Sequence, residues 1–147
     1  MIYRTFTTIE ASEYPIAILS AKLDRDEMDR AYLEPTMVDP KEVIAYELYT
    51  TGKKTLVALQ KEYLDDLLLI LESLSTKYIL VSDGEYFKTL TGAKKADANL
   101  GYVMPNIYPE KLAGKFNVIF VPNYRQIFYN PQQIKGKILQ GIEALWS

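Results

Sequence analysis

The chain contains no cysteine and no histidine. The first absence removes disulfides, disulfide-linked partners, thiolate zinc sites and thiol nucleophiles. The second removes imidazole bases, imidazole metal ligands and serine triads. Any catalyst must draw on carboxylates, lysine, tyrosine or backbone amides. No stretch approaches the ~20 apolar residues of a membrane span. Met1-Ile2-Tyr3-Arg4-Thr5-Phe6 has no charged region followed by an apolar run, so no signal peptide is expected there. Repeats, low-complexity segments and linkers are absent, as are a Walker loop and a G-x-G-x-x-G fingerprint. A basic excess is missing too: the net charge is −2, whereas tight nonspecific nucleic-acid binders are usually basic.

What remains is an ordinary globular composition, 48% hydrophobic and 24% charged over 147 residues, which predicts a single domain spanning residues 1–147. Tyrosine is abundant, with 12 copies, and serves either half-buried strands or interfaces and base stacking. Ile2–Ile9 reads as a strand or an extended arm. Apolar runs predict strands at Ile16–Leu19, Val43–Tyr49, Lys77–Ser82, Leu100–Pro105 and Asn117–Val121. A helix is expected from Asp24 to Pro35, followed by an Asp39-Pro40 turn, and Thr51-Gly52 closes the next strand. The strongest helix runs from about Thr55 to Ser73. Leu56, Leu59, Tyr63, Leu67, Ile70 and Leu74 form its apolar face, widened by Leu64, Leu68 and Leu71. Glu85–Leu90 is a short helix ending at Gly92. Asn130 caps a last helix with Pro131 in its first turn, and Gly136 and Gly141 there are expected to allow close packing on the sheet. Strands alternating with helices predict an α/β fold with a parallel or mixed sheet covered on both faces.

In such a sheet the parallel strand ends converge on one edge, the default site of α/β domains. Four ends deliver Ser20-Ala21-Lys22, Tyr49–Lys53, Asp83-Gly84-Glu85-Tyr86 and Pro122-Asn123-Tyr124-Arg125. Asp83 and Glu85 read either as a metal or general-base pair, or as a turn opening a helix that favours negative charge. Asp24, Asp26, Glu27 and Asp29 read as a magnesium-type cluster or as an acidic first helical turn. Lys53-Lys54 and Lys94-Lys95 are phosphate contacts or solvated pairs. Asn123-Tyr124-Arg125-Gln126 joins amides, an aromatic and a guanidinium, the groups that contact a nucleic-acid backbone and stack on bases, or else a structural turn.

The order of elements, with Val121-Pro122-Asn123 after the last strand, Tyr78–Gly92 as strand, turn and short helix, and the glycine-containing Leu100-Gly101-Tyr102-Val103, resembles the uracil-DNA glycosylases. More narrowly, four segments resemble the N-terminal region of some bacteriophage family A DNA polymerases. They are Ser20-Ala21-Lys22-Leu23, Ala31–Thr36, Asp83–Lys88 and Pro122-Asn123-Tyr124-Arg125-Gln126. The resemblance implies a three-layer α/β/α domain with a four-stranded, mainly parallel sheet, forming the N-terminal part of a longer polymerase in the host cytoplasm. It also implies DNA or replication proteins as partners, no cofactor and no metal. The family's catalytic histidine falls at Val121, the loop after the first strand has no carboxylate until Asp24, and no uracil-reading asparagine lies around Tyr46–Tyr49. A non-catalytic docking module of a replication polymerase is therefore expected. Its contacts would come from Lys22, Asp83, Gly84, Glu85, Tyr86, Asn123, Tyr124, Arg125 and Gln126. The alternatives are a divergent glycosylase using Asp24 or Asp83, and a structural protein-interaction domain.

Overall fold

A computed structural model describes residues 5–6 (backbone only), 13–21, 26, 42–48, 55–121 and 136. The expected helix from Asp24 to Pro35, the turns at Asp39-Pro40 and Thr51-Gly52 and the capped last helix lie outside these residues, apart from Asp26 and Gly136, which are helical.

Short apolar runs rich in β-branched residues form the strands. They are β1 (Thr5–Phe6), β2 (Ile16–Ser20), β3 (Val43–Glu47), β4 (Tyr78–Val81), β5 (Val103–Pro105) and β6 (Asn117–Phe120). They pair in the order β1-β3-β2-β4-β6-β5. The four central strands, β3, β2, β4 and β6, are mutually parallel, while β1 and β5 are antiparallel edges. The sheet is therefore mixed and wider than the expected four strands. It has five strands of three or more residues plus the two-residue β1. The mainly parallel arrangement expected holds for the four central strands and not for the two edges.

Both faces of the sheet are buried, which is why its strands read as continuous apolar runs rather than alternating ones. Leu19, Tyr46, Val81 and Phe120 share one cross-strand row and one face. Ile18, Ala45, Leu80 and Ile119 form the row on the other face and are equally buried.

Helix α1 (Ala58–Ser73) packs Tyr63, Leu64, Leu67, Leu68 and Leu71 into the first face. It starts three residues later than its apolar pattern predicts. Gln60 is buried because its Oε1 accepts from Val57 N–H at 2.9 Å, closing the first turn. The packed stripe runs through Tyr63, Leu64, Leu67, Leu68 and Leu71, and Leu59 lies off it, 47% exposed and not part of the core. Beyond its last residue, Ser73, the chain turns away at Ser75, whose φ of 60° is left-handed, as Thr76 N–H donates to Leu71 C=O at 3.0 Å. Tyr63 donates its hydroxyl to Glu47 C=O at 2.7 Å and so ties α1 to the end of β3.

Helix α2 (Gly84–Thr91) stops at Gly92, with φ 74°. A Cβ there would also stand 2.6 Å from Ile107 Cδ1, so both backbone and space call for glycine. Phe87 brings its ring centroid to 5.3 Å from that of Phe120, joining α2 to β6. The loop from β5 to β6 turns around buried Asn106. Its Nδ2 donates to the carbonyls of Tyr108 and Leu112, and its Oδ1 accepts from Phe116 N–H at 2.9 Å. Gly136 is exposed with nothing within 4 Å of an added Cβ, which corrects the expectation that it mediates close packing on the sheet.

Candidate functional site at the carboxyl edge of the parallel strands

Four parallel strands bring their carboxyl ends to one edge, as anticipated. Backbone bonds hold the ends together. Leu48 N–H donates to Ser20 C=O at 2.9 Å, Ser82 N–H to Leu19 C=O at 3.0 Å and Val121 N–H to Val81 C=O at 3.0 Å. Ser82 also donates its hydroxyl to Ser20 Oγ at 2.8 Å, which pairs the ends of β2 and β4.

Asp83 follows β4. Its Oδ1 accepts from Glu85 N–H and Tyr86 N–H, both at 3.0 Å, in the N-cap position of α2. Glu85 stands in the first turn, where the helix dipole favours a carboxylate, and pairs with Lys88 at 2.9 Å. The turn does open a helix whose first residues carry negative charge, as one of the two readings had it. Among the described residues no group of three or more metal-ligating side chains occurs. Tyr86 is fully buried, so its side chain is a core anchor and cannot be the contact residue expected of it. Gly84 stays partly exposed, and a Cβ on it would lie 3.3 Å from Ala96 Cβ, so the following loop presses close to the start of α2.

That loop carries Lys94 and Lys95, both exposed. Asn99 shapes it by donating from Nδ2 to Lys95 C=O at 2.7 Å and from N–H to Ala96 C=O at 2.9 Å. A cleft of about 470 Å³ opens between the loop and α2, lined by Ser82, Gly84, Lys88, Lys94, Lys95 and Asp97 among others. A second, of about 320 Å³, lies between α2 and the start of α1, with Thr55, Lys61 and Thr89.

The structure thus brings Asp83, Gly84 and Glu85 to the expected edge and adds Lys61 and Lys88, which sequence reasoning did not single out. The i, i+3 spacing of Glu85 and Lys88 was a visible signal. Lys61 had none, because its neighbourhood depends on how α1 lies beside α2. Lys22, Asn123, Tyr124, Arg125 and Gln126 lie outside the described residues, as do Lys53 and Lys54. Within the described residues no helix is long and apolar enough to cross a membrane. No protein-family model and no curated protein matches this chain.

Proposed function

We propose that the chain is a non-catalytic docking module that engages DNA, or a replication protein on DNA, through the carboxyl edge of its parallel strands. The observation that carries this reading is the use made of Asp83. The carboxylate after β4 is committed to two backbone N–H groups of α2, a structural role rather than a catalytic one. The resemblance puts the family's imidazole at Val121, a buried residue just after β6, and the chain has no histidine to replace it. Loss of one aimed electrostatic group typically lowers a rate by about 10²–10³-fold, and several are missing together.

The resemblance to uracil-DNA glycosylases supports a three-layer α/β/α frame, the burial of both sheet faces is in keeping with it, and the resemblance to bacteriophage family A polymerases supports a replication setting. Incubation with uracil-containing DNA is expected to release no uracil. Release that disappears in Asp83→Ala would overturn the non-catalytic reading in favour of a divergent glycosylase. Failure to bind DNA at low salt would leave docking on a protein.

A further inference from the structure

The two clefts beside α2 share Glu85 and Lys88. Together they collect Lys61, Lys88, Lys94 and Lys95 against Glu85 and Asp97, four positive charges facing two negative ones. That local excess of two stands on a chain whose net charge is −2. Glu85 is already paired with Lys88. Among the described residues, Lys61, Lys94 and Lys95 have no ion-pair partner. Four ammonium groups along two adjoining clefts form a track, suited to successive phosphates rather than to one isolated anion.

An exposed aromatic follows in the chain, just after the loop that lines the larger cleft. Asp97 and Ala98 line the larger cleft, and the same turn continues through Asn99, whose carbonyl accepts from Tyr102 N–H at 3.1 Å. Tyr102 is 63% exposed, so its ring is available to a base. Stacking on such a ring needs an unpaired base, and a duplex keeps its bases in the helical stack.

From this juxtaposition we infer that the clefts hold the phosphodiester backbone of single-stranded DNA, with Tyr102 as a stacking platform. The inference rests on the docking reading above and narrows it to a strand type and a set of residues.

The test is fluorescence anisotropy of a labelled oligo-dT strand with the full chain over a series of salt concentrations. Lys94→Gln/Lys95→Gln is expected to weaken binding roughly tenfold at low salt and to reduce the salt slope by about 1.4, at about 0.7 for each phosphate no longer neutralised. Lys61→Gln is expected to act in the same direction. Tyr102→Ala should weaken binding by about fivefold or more, and Tyr102→Phe should restore most of it. Because these side chains are exposed or line open clefts, thermal unfolding should be nearly unchanged, which separates binding from folding. Equal binding by the lysine variants and wild type, with loss instead in Lys22→Gln/Arg125→Gln, would overturn the inference and leave DNA docking standing. Tighter binding of a duplex than of oligo-dT would overturn the single-strand assignment. No binding by wild type at low salt would overturn both the inference and the DNA reading.

Discussion

Tyr108 shows how one side chain joins two parts of this molecule. It follows buried Asn106 in the loop from β5 to β6, and its hydroxyl meets Asp65 on α1. Burial, the hydrogen bond to Asp65 and that residue's negative charge push the phenol up from 10.0 to about 12. Below pH 10 both folded and unfolded phenols are protonated, and this contribution to stability is fully present. Between pH 10 and about 12 the unfolded chain has lost the proton while the folded chain keeps it. The folded state then binds more protons, so stability falls as pH rises through that window. Urea unfolding should show this fall in wild type and a smaller one in Tyr108→Phe. At neutral pH the same substitution removes a half-buried hydroxyl and is expected to cost about 0.5–1.5 kcal/mol. Equal pH profiles for the two proteins would refute the link. Neither the pair nor the Asn106 hub was readable from the chain alone. Asp65 and Tyr108 are far apart in the chain, and nothing in their local sequence marks the meeting.

At the scale of elements, α1 separates what patterning can and cannot decide. Its existence follows from leucines at helical spacing. Its packed stripe does not, because residues 67–71 are apolar all round and several faces look alike. Packing against the sheet settles the matter, with Leu67 and Leu68 inside at 0% exposure and Leu59 outside at 47%. Leu67→Ala is accordingly expected to cost about 2–5 kcal/mol, whereas Leu59→Ala should stay within about 0.5 kcal/mol of wild type. Similar losses at the two positions in chemical denaturation would mean that the stripe is misassigned. The strands were easier. Continuous apolar runs marked β2, β3, β4 and β6 within a residue or two, and the Asp83-Gly84 turn and Gly92 bracketed α2. The lysine clefts were hidden because they need α1, α2 and the loop after α2 set side by side, and the sequence places these lysines in three separate stretches.

On the scale of the whole molecule, a six-stranded sheet has two edges to protect. At one of them, β5 exposes Val103 and Pro105, with Tyr102 and Ile107 nearby also exposed. Pro105 has no N–H to offer an incoming strand, which blunts this edge against pairing. Sedimentation should therefore give a species of 16.9 kDa whose mass is the same in Val103→Lys. A wild-type dimer that this substitution dissociates would show the edge to be open. The gathering of lysines from α1, α2 and the loop after α2 is how an acidic chain can present locally basic clefts. Charge totals describe the long-range field, whereas phosphate recognition depends on the groups within a Debye length of the cleft, about 8–10 Å at moderate salt.

The strand order also departs from chain order at one edge of the sheet. β5 precedes β6 in the chain, yet its place in the sheet is beyond β6, with Val103 opposite Ile119 and Pro105 opposite Asn117. Among the described residues β6 is the only sheet neighbour of β5, so a chain truncated before Asn117 would leave β5 without a partner and the β4 edge open.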